Sequence, residues 1–418
     1  MSDDIDWKFE SENHPIIGDL QSVSLFQTIK YLILRRIRIN FAVIMKIGIL
    51  GGGQLGYMFL QNALQYPVEI HILDPSANAP CARHAHHFVQ GDFADYQTVV
   101  DFGKDLDAIG IEIEHVNVKA LHYLKSIGKK VVPAPSALEI IQDKSVQKKF
   151  YTDHKIPTAP YFELENWKSL KGEKPKFPLF QKANKGGYDG KGVQFLKSDK
   201  DLENQLKVPS IYETPADLDK EIAIIVVSDG KGNLVNYPVV ELVFNEEYNL
   251  LDYLLMPSTL EENKAKEAAE IAKNVVKNLK SAGVFAVEMF LNKDGSLWVN
   301  ETACRVHNSG HSTIEAAFSS QFDQMLRTLM DLPLGSTKLF STSAMVNLIG
   351  AEGEVGIAQI ENQDKLLKVQ GVYLHWYAKE QTRPGRKMGH ITMVNSNLME
   401  LRNTISEVNK TIRVIAKK

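Results

Sequence analysis

The run M-K-I-G-I-L-G-G-G-Q-L-G-Y-M-F-L-Q-N-A-L, Met45 to Leu64, limits the possible folds more than any other stretch of the chain. A short apolar segment enters a glycine-rich turn and leaves it as a helical run, and V-E-I-H-I-L-D-P (Val68 to Pro75) follows as a second apolar segment ending in an acid. Strand, helix and strand in that order predict a parallel βαβ unit, because parallel neighbours need a crossover. Gly51, Gly53 and Gly56 have dinucleotide spacing and Asp74 stands where a ribose-binding acid would lie, which taken alone indicates NAD. The signal is not specific, since glycine-rich turns also receive plain phosphates at a helix N-terminus. Further apolar segments at His87 to Gln90, Ala108 to Glu114 and Val131 to Pro133 extend the pattern, so residues 45–140 are expected to form one open α/β domain.

A chain of 418 residues predicts two to three domains. Its net charge of -3 and pI near 6.5 provide no basic field, so small molecules rather than nucleic acid are the expected partners. Cys81 and Cys304 are the only cysteines and lack metal-ligand spacing, which favours a reducing, cytoplasmic setting. Residues 1–44 read as an extension ahead of the fold. Arg35, Arg36 and Arg38 interrupt its apolar part too centrally for a membrane span, and Asp3, Asp4 and Asp6 do not suit a signal peptide.

Ser136 to His154 is predicted as one helix opened by a Ser136/Glu139 capping box, and Pro157 and Pro160 mark the connection that follows. The stretch F-P-L-F-Q-K-A-N-K-G-G-Y-D-G-K-G-V-Q-F-L, Phe177 to Leu196, predicts two strands joined by a glycine-rich loop carrying Lys182, Lys185 and Lys191. Such a basic flap can close over a polyphosphate through backbone N–H groups and ammonium charges. No helix follows and G-x-x-x-x-G-K-[ST] is absent, so it is not a Walker loop. Leu260 to Ala282 reads as an amphipathic helix with Gly283 at its C-terminal end, and Val284 to Leu291 and Ser296 to Glu301 as a hairpin around N-K-D-G. Glu288 and Glu301 then share one sheet face. Two carboxylates there repel unless a cation lies between them, and hard oxygen ligands suit Mg²⁺.

The hairpin runs into E-T-A-C-R-V-H-N-S-G-H, Glu301 to His311, an unusually dense polar loop. A helix is expected over Ser312 to Leu329, then a C-terminal part, 336–418, rich in short strands, with 141–335 as the central domain. In the C-terminal part Lys379, Arg383, Arg386 and Lys387 make a basic turn suited to a phosphate monoester.

In this order the strings G-G-G-Q-L-G, G-G-Y-D-G-K-G, N-E-x-x-x-R-V-H-N-S-G-H and H-W-Y-x-K-E-x-x-R-P-G-R-K-M-G-H resemble the N5-carboxyaminoimidazole ribonucleotide synthetase family of ATP-grasp ligases, from Met45 to about residue 400. The resemblance implies an α/β (α+β) ATP-grasp fold, with a Rossmann-like N-terminal domain and a small β-rich C-terminal one. It implies ATP with Mg²⁺, Mn²⁺ being able to substitute, and a homodimer. Lys144 and Lys182 would hold ATP phosphates; Gly186, Gly187, Tyr188, Asp189, Gly190, Lys191 and Gly192 would be the flap. Glu213, Thr214, Pro215 and Ala216 would form the adenine hinge, Glu221 would bind ribose, and Asn300 and Glu301 would lie at the nucleotide, with Glu288 and Glu301 on the metal. Aminoimidazole ribonucleotide would meet Gln54, Leu55, Glu112 or Glu114, Tyr188, Lys191, Arg305, His307, Asn308 and Ser309, and its phosphate Lys379 and Arg386. Lys182, Tyr188, Lys191, Arg305 and His307 would be the catalytic set.

The implied reaction is ATP-dependent carboxylation of 5-aminoimidazole ribonucleotide by bicarbonate through carboxyphosphate, in purine biosynthesis. Three positions depart from the family pattern: Cys304 replaces a proline, Phe244 a histidine, and Pro215 removes a backbone donor from the hinge. The competing readings are another ATP-grasp carboxylate–amine ligase, an NAD-dependent oxidoreductase resting on the glycine turn alone, and a nucleotide-binding regulator without turnover.

Overall fold

The apolar segments of residues 45–140 become strands β1 (Met45–Leu50), β2 (Val68–Asp74), β3 (His87–Gln90), β4 (Ala108–Ile111) and β5 (Lys130–Val132). They form a parallel sheet in the order β3-β2-β1-β4-β5. The coordinates are a computed structural model, which describes residues 44–164, 166, 168, 170, 175–187, 192–244 and 251–417. Except for Ile44, the expected extension lies outside the described residues. Helices α1 (Gln54–Ala63), α2 (Tyr96–Gly103) and α3 (Val118–Ser126) make the crossovers. Asp95 and Asn117 cap α2 and α3 by accepting from Thr98 N and Ala120 N.

The single helix expected over Ser136 to His154 is two, α4 (Pro135–Ile141) and α5 (Lys144–Asp153). The Ser136/Glu139 box is not used. Pro135 instead opens α4, and Asp143 restarts the chain as the cap of α5, accepting from Ser145 N and Val146 N. Strands β6 (Tyr161–Leu164), β7 (Leu179–Ala183), β8 (Val193–Leu196) and β9 (Ser210–Glu213) then form an antiparallel sheet in the order β6-β9-β7-β8.

The largest sheet begins with β10 (Leu218–Ser228), β11 (Leu234–Asn236), β12 (Val240–Phe244), β13 (Leu251–Met256), β14 (Gly283–Asn292) and β15 (Leu297–Ala303). Helix α6 (Glu262–Leu279) packs on it through Ala268, Ala272, Val275, Val276 and Leu279. Its left-handed end falls on Lys280, not on Gly283, which opens β14 at a φ of 133°. The helix expected over Ser312 to Leu329 is also divided, into α7 (Thr313–Ala316) and α8 (Gln321–Leu329). A bridge from Ala317 to Leu339 interrupts it, and Ser320 caps the new start by accepting from Asp323 N.

The C-terminal part holds β16 (Ser343–Ile349), β17 (Gly356–Glu361), α9 (Gln363–Leu366), β18 (Val372–Trp376), β19 (Gln381–Thr382), β20 (Lys387–Val394), α10 (Leu398–Thr411) and β21 (Arg413–Ala416). Strand β16 pairs with β13, Leu254 opposite Met345, so the C-terminal strands continue the large sheet in the order β15-β14-β10-β12-β13-β16-β20-β18. Met325, Leu326 and Leu329 of α8 share a buried cluster with Ile47, Ile49, Ile70 and Ile72 of the parallel sheet. That packing fixes the glycine turn relative to the loop ahead of α8. Among the described residues no helix is long and apolar enough to cross a membrane.

Candidate active site

The β14–β15 hairpin sets Glu288 directly opposite Glu301, on one sheet face as expected, but through a break in register and not through the turn alone. The register then slips: Met289 faces Val299, leaving Asn300 as the extra residue of a bulge. Because of it, adjacent residues reach neighbouring lysines. The Lys144 ammonium donates to the Glu301 carboxylate, and Lys182 Nζ donates to Asn300 Oδ1 at 2.8 Å. Lys182 also lies 2.7 Å from Glu213, which meets Lys148 at 2.9 Å on its other oxygen. The expected hinge acid therefore turns inward, its side chain only 4% exposed, to anchor both lysines. Glu221 sits two residues along β10 from Ala223, which faces Glu288, and so lies on the same sheet face. Burial raises the Glu221 carboxyl above its usual range, with Lys182 opposing.

Burial likewise raises Glu288, and the charges of Glu301 and Glu221 push it further. For Glu301 burial acts upward but Lys144, then Lys182 and His307, outweigh it and hold the carboxyl low. Its side chain is 44% open to solvent although dense protein surrounds the carboxylate, the geometry of a cleft wall. Two carboxylates facing each other repel unless a cation lies between them, and the oxygen donors of Glu288 and Glu301 suit Mg²⁺.

The loop after Glu301 is held from three sides. Glu114 accepts from Cys304 N at 3.2 Å and lies 3.5 Å from Arg305 Nε. His307 Nε2 lies 3.5 Å from Glu288, and its Nδ1 is 2.9 Å from Ser309 Oγ. Gln321, fully buried and not signalled in the sequence, accepts from His307 N and donates to His307 O, both at 2.8 Å. A Cβ on Gly310 would come within 2.3 Å of that amide, which accounts for glycine there. Asn308 Oδ1 is buried with no hydrogen-bond partner among the described residues, as an oxygen awaiting a ligand would be. His311 packs against Phe322, Tyr377 and His390 instead of facing the cleft.

At the glycine turn Glu112 accepts from Gly53 N at 2.9 Å and Gly56 N at 2.6 Å. These are the amides a dinucleotide pyrophosphate would use, so the chain's own carboxylate occupies the cradle of the NAD reading. Asp74 is likewise engaged, accepting from Gly52 N and Ser76 N at 2.8 Å. Of the alternatives Glu112 and Glu114, the first ties down the glycine turn and the second the Arg305 loop. Gln54 and Leu55, at the head of α1, are half-buried. Gln54 Oε1 accepts from Lys379 Nζ at 2.6 Å, joining residues 325 positions apart. Arg386 bonds within its own turn, to Gln381 O at 2.7 Å.

Gly186, Gly187 and Gly192 border the flap loop between β7 and β8, with Gly186 at a φ of 77° and Gly192 at 78°. Tyr188, Asp189, Gly190 and Lys191 lie outside the described residues. Thr214, Pro215 and Ala216 join β9 to β10, and Thr214 N donates to Pro160 O at 2.9 Å. Cys304 is buried, which raises its thiol far above the usual range, and Phe244 ends β12 half-buried.

Three families match the chain in sequence: the Ribonucleotide synthetase preATP-grasp domain over residues 44–142, the ATP-grasp domain over 149–322 and the Phosphoribosylaminoimidazole carboxylase C-terminal domain over 343–404. The chloroplastic phosphoribosylaminoimidazole carboxylase of Vigna aconitifolia is 35% identical across 86% of this chain, which spans 66% of that longer protein. The structure of N5-carboxyaminoimidazole ribonucleotide synthetase from Thermotoga maritima superposes with a TM-score of 0.82 at 39% identity, covering 90% of this chain and 100% of that one. The Aspergillus clavatus N5-carboxyaminoimidazole synthase, solved with ADP and 5-aminoimidazole ribonucleotide, gives 0.79 at 32% identity, with 88% and 98% covered. Agreement of this extent, with the family domains in one order along the sequence, means that the chain belongs to the N5-carboxyaminoimidazole ribonucleotide synthase family of ATP-grasp ligases.

Proposed function

We propose that this chain joins bicarbonate to the exocyclic amine of 5-aminoimidazole ribonucleotide at the expense of ATP, forming N5-carboxyaminoimidazole ribonucleotide, ADP and phosphate in purine biosynthesis. The observation that carries the reading is a shared wall: Glu288 is paired across strands with Glu301 and also lies 3.5 Å from His307. That contact supports a nucleotide-phosphate site and a second-substrate loop that meet at Glu288.

Lys144 and Lys182 hold the ATP phosphates, each turning from its carboxylate or amide partner toward the incoming anion. Mg²⁺ on Glu288 and Glu301 supplies charge neutralisation for the phosphates. Lys182 faces the charge that develops when a bicarbonate oxygen displaces ADP from the γ-phosphorus. The product, carboxyphosphate, then loses phosphate as the amine of the ribonucleotide takes its carboxyl carbon. Arg305, His307, Asn308 and Ser309 orient that ribonucleotide, Gln54, Leu55 and Glu114 bound its site, and Lys379 and Arg386 receive its phosphate monoester. Tyr188 and Lys191, with the flap glycines, exclude water from carboxyphosphate. Glu221 takes the ATP ribose, and the backbone from Glu213 to Ala216 borders the adenine. The enzyme works as a cytoplasmic homodimer with domains 45–140, 141–335 and 336–418.

The test is phosphate release from enzyme, Mg-ATP and bicarbonate on adding 5-aminoimidazole ribonucleotide. Release should require both bicarbonate and the ribonucleotide, and a chain that hydrolyses ATP equally without the ribonucleotide would exclude this acceptor.

A further inference from the structure

Glu69, His71 and His87 bring three metal-ligating side chains together at the edge of the parallel sheet, on residues with no part in the reaction above. Their donor atoms all lie within 4.8 Å of one another. Strand geometry produces the cluster. On β2, Val68, Ile70 and Ile72 are buried, so Glu69 and His71, two residues apart, share the other face. The parallel register then places His87 of β3 opposite His71, and the two rings stack at 4.4 Å and 21°. Both rings present Nε2 to the same oxygen, Glu69 Oε1, at 2.7 Å from His71 and 3.1 Å from His87.

Parallel sheets in α/β folds are usually apolar on both faces, which makes a converging polar triad here unusual. A tetrahedral ion with bonds of about 2.0–2.1 Å separates its donors by roughly 3.3 Å. Opening the two ring-to-carboxylate spacings of 2.7 and 3.1 Å to that value takes shifts of about half an ångström or less, within the reach of side-chain torsions. The His87 side chain is 57% exposed, which leaves room for a water as fourth ligand.

We propose that Glu69, His71 and His87 bind a divalent transition-metal ion, Zn²⁺ foremost, which clips the edge strand β3 to β2. Two imidazoles and one carboxylate suit Zn²⁺ and its neighbours in the first transition series, and disfavour Mg²⁺ and Ca²⁺, which take oxygen ligands. The site is separate from the glycine turn: His71 lies three residues, about 10 Å of strand, before Asp74. Its role is to stabilise the sheet edge, not to enter the ligase chemistry.

The experiment is calorimetric titration of the full chain with ZnCl₂ under saturating Mg²⁺, which fills the Glu288 and Glu301 position. Co²⁺ is the spectroscopic probe, through the intense visible absorption of a tetrahedral site. One equivalent of Zn²⁺ per chain, a raised unfolding temperature, and affinity at least about tenfold weaker in both H87Q and E69Q are expected. His87 is largely exposed, so H87Q leaves the core intact. The proposal is overturned if the unaltered chain takes up no Zn²⁺ under these conditions, or if H87Q and E69Q bind it as tightly as the unaltered chain.

Discussion

Glu288 and Glu301 face each other across β14 and β15, yet their acidities are driven in opposite directions. Glu301 has Lys144 as partner, whereas Glu288 meets buried surroundings and two carboxylates. The proposed metal site thus has one carboxylate already ionised and a second that ionises when a cation arrives. Replacing either by glutamine should reduce ribonucleotide-dependent phosphate release by about 10²–10³-fold. Raising Mg²⁺ should recover little of it. Rates within a few-fold of the unaltered chain in both variants would refute the assignment.

Glu213 should be a stability residue as well as a neighbour of the nucleotide. Burial pushes its carboxyl up, but Lys182 and Lys148 outweigh burial and leave it below the usual range. Burial meanwhile pulls the Lys148 ammonium down, against the attraction of Glu213. The pair therefore adds modestly when intact and is costly to break. Glu213→Ala should lose about 3–5 kcal/mol in urea unfolding. With its folded pKa depressed, the Glu213 contribution is complete above the unfolded pKa, about 4.3, and is lost as pH falls through the folded value.

His311 and His390 should make the fold acid-sensitive in a higher window. Both rings are fully buried, 4.8 Å apart, and burial lowers both pKa values well below the ordinary range. Below about pH 6.5 the unfolded chain binds protons that the folded chain refuses, so stability falls as pH falls through that value. Each histidine should contribute a loss of about 1.4 kcal/mol between pH 7.5 and 5.5. The pH dependence of urea unfolding in H390Q should be shallower by that amount; an unchanged slope would show that His390 is not the group responsible.

Lys379 should act on one substrate only. It bonds Gln54 and the Lys387 carbonyl, both at 2.6 Å, at the proposed ribonucleotide phosphate site. Loss of a charge-assisted hydrogen bond worth about 1.5–3 kcal/mol should raise KM for the ribonucleotide roughly 10–100-fold in Lys379→Ala. KM for ATP should stay within about twofold, well under 1 kcal/mol. A rise in the ATP value alone would move Lys379 to the other substrate.

Local order along the chain was enough to predict the parallel βαβ unit and the β7–β8 and β14–β15 hairpins. Apolar periodicity reports which face of a strand is buried, and sequence-adjacent strands pair readily. The motif strings led to the family for the same reason, since each is a contiguous run of residues. Tertiary structure alone decided who meets whom across long separations. The bulge at Asn300, the capture of Glu213 by Lys148 and Lys182, the closing of the glycine turn by Glu112 and the Gln321 clamp have no local signature. Neither does the joining of β13 to β16, which makes one sheet of two sequence regions. A buried charge or amide must find a partner, and which one it finds depends on how the layers pack rather than on its neighbours in sequence.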